Sequence, residues 1–306
     1  MIAIYHGQYA SRYQDLLQAE GIEGVKMLDE TVTADELHRV TGLLGWKVPQ
    51  SVLAAMPNLR WVQSLGAGVD WLNGMALPPY TTLTRVVDLF GTDMAEYALL
   101  ASLMWVKNVQ RWQRAQVSHR WDPFVVGSLS TQRVGVVGAG SIGREIARAF
   151  LPWAQEVRAL GRTLPQIEGV QGFDAETTME FFKGLNIVIV VLPLTPATTN
   201  FVGRGRLEQM ALGSLLINVG RGPVVDLDAV VDALKSGRLD QAVLDVFPTE
   251  PLPSSSYLWD VPGLVISPHV SGPSRPERVV KLVARNIQRF QAGQPLEGVV
   301  NWQRGY

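Results

Sequence analysis

A short apolar run that ends at three regularly spaced glycines constrains the fold of this chain more than any other segment. Residues 134–137 read Val-Gly-Val-Val, and Gly138, Gly140 and Gly143 follow. The next stretch, Ser141–Phe150, has the composition of a helix. A strand, a Gly-x-Gly-x-x-Gly turn and a helix in this order are typical of parallel α/β folds that bind the phosphates of a dinucleotide. The segment therefore predicts a dinucleotide site at the turn.

Each residue of the turn has an expected role in such a site. Gly138 permits the tight turn, Gly140 lets the backbone approach a pyrophosphate, and Gly143 lets the helix pack closely on the strand. Ser141 and Ile142 begin the helix, whose free N–H groups and positive dipole end attract phosphate. The alternative is an ordinary glycine-rich turn, because a chain with 29 glycines in 306 residues contains such spacings by chance. The agreement of strand, turn and helix favours the dinucleotide site.

Composition excludes several other classes of protein. The chain has 27 basic and 28 acidic residues, so it lacks the surplus of positive charge that nucleic-acid binding requires. It contains no cysteine, which excludes disulfides and thiolate metal sites. We expect no metal site, because no metal-ligand spacing relates the four histidines, which are His6, His38, His119 and His269.

The sequence predicts neither a targeting segment nor a membrane span. Residues 1–7 have no basic region and no long apolar core, so they are unlike a signal peptide and suit a first buried strand. No run of about 18 apolar residues occurs, which is the length that a spanning helix needs. We therefore expect a cytoplasmic protein that does not enter a membrane.

Short apolar runs alternate with helix-like segments along the chain, which is typical of parallel sheets. Strands are predicted at 2–5, 25–28, 42–46, 60–64, 82–86, 134–137, 156–160, 186–192, 214–218, 241–245 and 264–267. Helices are predicted at 9–19, 49–56, 141–150, 204–211, 226–236 and 275–291. We predict two Rossmann-like α/β domains with parallel sheets. The dinucleotide-binding domain, residues 96–274, is inserted into a discontinuous substrate-binding domain, residues 1–95 and 275–306.

One long helix is predicted over Ala95–Val117, with Trp121-Asp122-Pro123 ending it. It is apolar on most faces at first and becomes amphipathic around Arg111–Arg114. A helix with so broad an apolar surface is typically covered on several sides. We expect it to bridge the domains or to face another subunit.

The end of the second strand of the dinucleotide unit indicates which cofactor binds. In NAD-binding folds an acidic residue at this position binds the ribose hydroxyls. Here the strand 156–160 is followed by Gly161, Arg162 and Thr163. A carboxylate would repel a 2′-phosphate, whereas a guanidinium binds one in a forked geometry. We predict a preference for NADP(H), with NAD possible at lower preference; the alternative is that Arg162 is a solvated residue and both cofactors bind.

Arg221, Glu250 and His269 follow three predicted strands, on the side where open α/β sheets bind ligands. A reaction on a small anionic substrate at this edge of the sheet needs a proton donor and a cation for the anion. His269 is suited to proton exchange near neutral pH, and an adjacent Glu250 would favour the imidazolium and hold its orientation. Arg221 is suited to bind a carboxylate and to polarise a carbonyl oxygen. Taken singly, each residue has a structural alternative. His269 is then a core histidine, Glu250 a turn residue and Arg221 a solvated loop residue.

A second cradle for the substrate carboxylate is predicted in the first domain. Backbone N–H groups around Ala67, Gly68 and Val69 are suited to converge on an anion, because glycine permits such a loop.

These segments together resemble the D-isomer-specific 2-hydroxyacid dehydrogenase family over nearly the whole chain. The resemblance is carried by Gly66–Asp70, the glycine turn, Leu192–Thr198, Asn218–Gly222 and the segments around Glu250 and His269. Within the family, a bacterial group that reduces glyoxylate and hydroxypyruvate is the most similar. That closer similarity rests on Leu65–Asp70, Gly161–Thr163, Ser274–Pro276 and Arg304–Tyr306.

The resemblance implies an NADPH-dependent reductase of small 2-keto acids, with Arg221, Glu250 and His269 as catalytic residues. It implies cofactor contacts from Leu192, Pro193, Thr198, Val219, Arg221 and Asp245. Asp245 would contact the nicotinamide carboxamide, with a structural carboxylate that caps the next loop as the alternative. The resemblance also implies that Trp46 and Arg275 lie near the substrate. The alternative for Trp46 is core packing, and the alternative for Arg275 is a surface position. A homodimer through the predicted helix over Ala95–Val117 is also implied.

Two other functions stay open at this stage. A reductase of bulkier 2-keto acids, such as phenylpyruvate, has the same catalytic residues. A regulatory protein that senses NADP(H) without turnover has the same fold, although it has no need of an acid, its partner and an anion-binding arginine. An S-adenosylmethionine enzyme on a Rossmann-like sheet is disfavoured, because the chain lacks the acid that usually meets a ribose diol and because the histidine, glutamate and arginine would be unexplained.

Overall fold

The computed structural model describes residues 1–5, 7–29, 32–72 and 74–301. His6 and the terminal Arg304–Tyr306, which carried part of the resemblance, lie outside the described residues. The chain divides into two compact units, one formed by Met1–Leu89 with Ser274–Tyr306 and the other by Phe90–Pro273. The predicted domain boundaries lie after residues 95 and 274, whereas the two units divide after residues 89 and 273.

The strands are short and mostly apolar, as buried parallel strands are. In chain order they are β1 Ile2–Tyr5, β2 Lys26–Met27, β3 Gly42–Gly45, β4 Trp61–Ser64, β5 Thr82–Thr84, β6 Arg133–Val137, β7 Glu156–Leu160, β8 Gln171–Phe173, β9 Ile187–Val190, β10 Ser214–Asn218, β11 Leu239–Leu244 and β12 Leu264–Ile266. All eleven predicted strands are found, with ends shifted by at most two residues. The edge strand β8 was not predicted.

The helices lie between these strands. They are α1 Ala10–Ala19, α2 Ala34–His38, α3 Gln50–Ala54, α4 Gly91–Val106, α5 Val109–Val117, α6 Ser141–Phe150, α7 Thr178–Phe182, α8 Arg204–Gln209, α9 Leu227–Lys235 and α10 Pro276–Gln291. Short 3-10 turns occur at Gly7–Tyr9, Asp70–Leu72, Leu129–Thr131, Gly222–Val224 and Tyr257–Asp260.

Each unit contains one fully parallel sheet. The first has the strand order β2-β1-β3-β4-β5, and the second has the order β12-β11-β10-β9-β6-β7-β8. In the second sheet β9 lies between β10 and β6, and all four of its residues are buried, as expected for a central parallel strand. The predicted α/β class with two parallel sheets is confirmed.

The prediction of one long helix over Ala95–Val117 is wrong. Helix α4 ends at Val106, and α5 begins at Val109 after Asn108 adopts a left-handed conformation with φ of 52°. The carbonyl of Val106 accepts a hydrogen bond from the N–H of Gly127, so it is engaged outside the helix. Asparagine tolerates the left-handed region better than most residues, which makes Lys107–Asn108 a favourable place for the break.

The end of α5 also differs from the prediction. The helix stops four residues before Trp121, so Pro123 is not what terminates it. His119 is left-handed with φ of 48°, and the N–H of Arg120 donates to the carbonyl of Ala115 at 2.8 Å. These features close the last turn in the manner of a helix C-cap.

Candidate active site

The glycine turn joins β6 to α6, and two of its glycines are required by the fold itself. Gly138 has φ of 109°, in the region that glycine tolerates best. A Cβ on Gly143 would lie 1.8 Å from the carbonyl oxygen of Gly138, so any side chain there would collide with the turn. A Cβ on Gly140, by contrast, would meet no protein atom within 4 Å. The turn is therefore tightly packed on one side and open at Gly140.

The N-terminus of α6 opens at the same turn. The first amide of the helix with a helical acceptor is that of Arg144, which donates to Gly140 at 2.9 Å. The N–H groups of Ser141, Ile142 and Gly143 precede it, and Gly140 has no side chain to cap them. Within the part of the chain that the structure describes, these three N–H groups have no acceptor. Such donors, together with the helix dipole, are what a phosphate group recognises.

The loop after β7 lies beside this turn. The Cβ position of Gly161 is 3.5 Å from the Cβ of Ala139, within the glycine turn. Arg162 and Thr163 follow and are exposed. Among the residues that the structure describes, the Arg162 guanidinium has no ion-pair partner, so it is available for an anionic ligand.

The loop after β9 has a rigid shape. The hydroxyl of Thr198 donates to the carbonyl of Pro193 at 2.7 Å and accepts the N–H of Thr195 at 2.8 Å. Leu192 packs closely on the next loop, because a Cβ on Gly220 would lie 2.6 Å from the Leu192 carbonyl oxygen.

Arg221 lies three residues after the end of β10, beyond the buried Val219 and Gly220. The side chain of Asn218 holds this loop, since its amide donates to the carbonyl of Arg221 at 3.1 Å and its oxygen accepts the N–H of Gly220. Gly222 approaches the backbone of Phe247 so closely that a Cβ would fall 2.1 Å from the Phe247 carbonyl carbon. This contact brings the loops after β10 and β11 together.

His269 and Glu250 form a direct pair. Nδ1 of the imidazole lies 2.8 Å from Oε2 of Glu250. The side chain of His269 is 37% exposed and that of Glu250 is 23% exposed, so the pair is accessible to a ligand. His269 has φ of 55°, a left-handed conformation that a non-glycine residue adopts only where its surroundings impose it.

Asp245 is fully buried at the end of β11 and organises the loop that carries His269. Its Oδ1 accepts from the hydroxyl of Ser267 at 2.5 Å and from the N–H of Val270 at 2.9 Å. Its Oδ2 accepts from the N–H of Ser271 at 2.8 Å. The carboxylate therefore caps the following loop, as in the structural alternative, and the predicted nicotinamide contact stays a prediction.

Sequence reasoning missed two residues of this network. Tyr97 on α4 places its hydroxyl 2.5 Å from Oγ of Ser267. Burial raises the pKa of the Tyr97 phenol above its usual value, the nearby charge of Asp245 adds to the rise, and the Ser267 hydrogen bond opposes it. The sequence carries no signal for this contact, because Tyr97 looks like any half-buried aromatic of a helix and lies far from Ser267 in the chain.

In the first unit, the loop after β4 has unpaired backbone donors. Among the described residues, the N–H groups of Ala67, Gly68 and Val69 have no acceptor in the protein. The loop is shaped from within, because Oγ of Ser64 donates to the carbonyl of Gly68 at 3.1 Å. Three consecutive donors without a protein acceptor suit an anion such as a carboxylate.

Trp46 and Arg275 are placed differently in the same unit. The half-buried indole of Trp46 packs on Gly66, where a Cβ would lie 2.3 Å from its ring, so Trp46 borders the loop of unpaired amides. Arg275 is exposed at the N-cap position of α10.

Two further properties of the described residues bear on other kinds of site. No three His, Asp or Glu side chains in the described ranges come together as metal ligands would. No described helix has both the length and the apolar character needed to cross a membrane.

A parallel sheet with this glycine turn, and a histidine–carboxylate pair in the loops after neighbouring strands, are typical of an oxidoreductase with a dinucleotide site. The profile of the D-isomer specific 2-hydroxyacid dehydrogenase, NAD binding domain, matches residues 99–271. The chain belongs to the D-isomer specific 2-hydroxyacid dehydrogenase family, and the resemblance predicted from its motifs is confirmed. It is an NAD(P)-dependent oxidoreductase of the 2-hydroxyacid class.

Curated relatives are similar over most of their length. Glyoxylate/hydroxypyruvate reductase A of Enterobacter sp. (strain 638) is 32% identical over 313 residues, covering 100% of this chain and 99% of the relative. The enzyme of the same name from Klebsiella pneumoniae is 34% identical over 271 residues, covering 86% of each chain.

Solved structures have the same fold. A D-isomer specific 2-hydroxyacid dehydrogenase from Xanthobacter autotrophicus Py2, in complex with NADPH and MES, matches with a TM-score of 0.90 and 34% identity, covering 100% of this chain and 99% of that one. An NADPH-dependent glyoxylate/hydroxypyruvate reductase from Sinorhizobium meliloti, in complex with NADP and sulfate, matches with a TM-score of 0.89 and 27% identity at the same coverage.

Proposed function

We propose that this protein reduces small 2-keto acids, glyoxylate and hydroxypyruvate, to 2-hydroxy acids with NADPH. The observation that carries the proposal is the pair of His269 and Glu250, joined at 2.8 Å beside the loop of Arg221. A proton donor with a carboxylate partner and a guanidinium for an anion are the groups that reduction of a keto acid requires. The names of the curated relatives agree with this substrate class.

Different residues of the chain have different roles in the proposed reaction. When bound, NADPH supplies the hydride that reaches the keto carbon. His269 donates a proton to the keto oxygen from Nε2, because Nδ1 is occupied by Glu250. Arg221 binds the substrate carboxylate and polarises the keto oxygen, which stabilises the negative charge that develops there. In the oxidative direction, neutral His269 accepts the proton.

The second unit is proposed as the NADP(H)-binding domain. The open N-terminus of α6, with Gly140, Ser141, Ile142 and Gly143, fits the pyrophosphate. The loop Gly161–Thr163 beside it presents Arg162, with no carboxylate at the strand end, to a 2′-phosphate. Both solved relatives described above hold NADP or NADPH, which supports this preference.

The first unit is proposed as the substrate-binding domain. The unpaired amides of Ala67, Gly68 and Val69 suit the carboxylate of the keto acid, and Trp46 borders them. Arg275 is proposed to contact the substrate at its polar end. Backbone amides that bind a carboxylate suit a small polar substrate.

Initial rates test the proposal. Cofactor oxidation is measured with glyoxylate and with hydroxypyruvate, each with NADPH and NADH in parallel. Turnover that favours NADPH supports both the reaction and the role of Arg162. Turnover only with phenylpyruvate or another bulky 2-keto acid would show that the substrates are bulkier than glyoxylate and hydroxypyruvate. NADPH binding without turnover on any keto acid would instead establish a sensor of NADP(H).

A further inference from the structure

The hydroxyl of Tyr97 takes no part in the steps above, yet it ends a hydrogen-bonded chain that leads to His269. Ser267 has one hydroxyl proton, and the carboxylate of Asp245 is a pure acceptor, so Ser267 donates to Asp245. The Ser267 oxygen must then accept from the phenol of Tyr97, 2.5 Å away. The raised pKa of Tyr97 keeps the phenol protonated and able to donate. The hydrogen bonds therefore all point the same way: Tyr97 donates to Ser267, and Ser267 donates to Asp245.

Asp245 in turn holds the backbone on both sides of the His269 side chain. Its main-chain oxygen accepts the N–H of His269 at 2.9 Å, and its carboxylate accepts the N–H groups of Val270 and Ser271. Three consecutive amides of the turn thus depend on a single residue.

The turn needs this support, because His269 is left-handed, with φ of 55°. A non-glycine residue in this region is costly unless neighbouring contacts impose it. Relaxation of His269 to an ordinary φ would carry its imidazole away from Glu250. The orientation of the proton donor is therefore coupled to the orientation of the Asp245 carboxylate.

We propose that Tyr97 and Ser267 are positioning residues for the reaction, which hold Asp245 in the rotamer that fixes the left-handed turn at His269. The kinetic part of this inference rests on the proposed function. Neither residue touches the substrate; both act through Asp245 on the direction of the imidazole. Asp245 acts in the same way, whether or not it also contacts the nicotinamide.

Kinetics of Tyr97→Phe and Ser267→Ala test the proposal. Tyr97→Phe removes one hydrogen bond, and we expect kcat to fall about fivefold. Ser267→Ala removes two, and we expect a fall of about 20-fold, with Ser267→Thr restoring most of the loss because it keeps the hydroxyl. The Kd for NADPH stays within about twofold, because the glycine turn and the loop Gly161–Thr163, which are proposed to bind NADPH, are untouched.

The double variant tests whether the two residues act in one chain. Its kcat should equal that of Ser267→Ala, because Tyr97 has no path to Asp245 once the serine hydroxyl is gone. The matched control is Tyr80→Phe, which also removes a tyrosine hydrogen bond, here to the carbonyl of Pro57 at 2.8 Å. Tyr80→Phe should leave kcat unchanged.

A readout without turnover separates this inference from the proposed function. The chain has four histidines, so its ¹⁵N-histidine NMR spectrum is simple, and the His269 signals are assigned by their loss in His269→Gln. We expect Tyr97→Phe and Ser267→Ala to shift or broaden the backbone and ring signals of His269. The other three histidines should be unaffected.

Each outcome decides one question. If the wild-type protein does not reduce keto acids but the His269 signals move in the variants, the proposed function fails and the positioning chain stands. Unchanged His269 signals in Tyr97→Phe overturn the positioning chain, whatever the activity. Variants that raise the Kd for NADPH while kcat is kept also overturn it, since they assign the chain to cofactor binding. Tyr97→Phe alone is decisive if Ser267→Ala does not fold.

Discussion

Nδ1 of His269 lies 2.8 Å from Oε2 of Glu250, while the other oxygen of that carboxylate, Oε1, accepts the N–H of Phe247 at 3.0 Å. Both oxygens of Glu250 are thus engaged, and a rotation of the carboxylate would break both contacts. Phe247 lies three residues after the end of β11, so this contact ties the carboxylate to the loop that leaves the sheet. Glu250 therefore holds the imidazole in a fixed position relative to this loop.

Replacement of His269 by Gln is expected to abolish reduction. Glutamine keeps polar character but has no proton to exchange near neutral pH, so kcat should fall about 10³-fold. NADPH binding should persist, because the glycine turn is untouched. Stopped-flow rates and cofactor fluorescence measure the two quantities. Retained turnover would remove the acid role from His269.

Replacement of Glu250 by Gln tests the partner of the histidine. The amide keeps the shape of the side chain and loses the charge that orients the ring, so kcat should fall about 10²-fold with little change in the Kd for NADPH. Glu168→Gln, at an exposed position of the same unit, is the matched control. Equal activity of the two variants would show that Glu250 is a turn residue only.

Replacement of Arg162 by Ala tests cofactor choice. The KM for NADPH should rise about tenfold or more, because the 2′-phosphate loses a charged partner, while the KM for NADH stays within about twofold. Arg148→Ala removes an exposed arginine in the last turn of α6, where it pairs with Glu145, and serves as control. Equal effects on the two cofactors would make Arg162 a bystander.

Two glycines of the turn should respond oppositely to the same substitution. Gly143→Ala places a Cβ 1.8 Å from the Gly138 carbonyl oxygen, so urea unfolding should show a loss of about 3 kcal/mol or a failure to fold. Gly140→Ala places its Cβ in open space, so stability should change by less than about 1 kcal/mol. That same Cβ occupies the approach of the pyrophosphate, so the Kd for NADPH should rise about tenfold. Unimpaired NADPH binding by Gly140→Ala would move the phosphate site elsewhere.

The predicted homodimer is tested by light scattering on the 33.6 kDa chain. Apolar side chains of α4, α5 and the segment after them are exposed, including Leu103 at 41%, Trp112 at 47% and Trp121 at 94%. We expect about twice the chain mass, and a shift towards the monomer in Trp121→Ser, because large exposed apolar groups favour an interface. Trp153→Ser, at another exposed tryptophan, should not change the mass. A monomeric wild-type protein would contradict the prediction.

Much of the fold is predictable because its strands are continuous apolar runs bounded by turn residues. The bounds of β1 and β10 coincide with the predictions for that reason. The break at Asn108 is not predictable, because it depends on the contact of Val106 with Gly127, a residue outside the helix. Strand β8 and helix α7 were missed because three and five residues carry too little periodicity to be recognised.

In the candidate site, too, some features were predictable from the sequence and others were not. Arg221, Glu250 and His269 are visible in the sequence because charged residues interrupt apolar strands at their ends. The positive φ of His269 and the partners of Asp245 are set by several elements at once, so no local pattern encodes them.

The unpaired amides of Ala67, Gly68 and Val69 belong to the main chain, which every residue type shares. A carboxylate held there is recognised through the path of the backbone and not through the identity of the side chains. Mutation at these positions can therefore remodel what surrounds the acid group while the demand for an acid group persists. In evolutionary terms, such a loop keeps its chemical class of ligand constant and leaves the remainder of the ligand free to diversify.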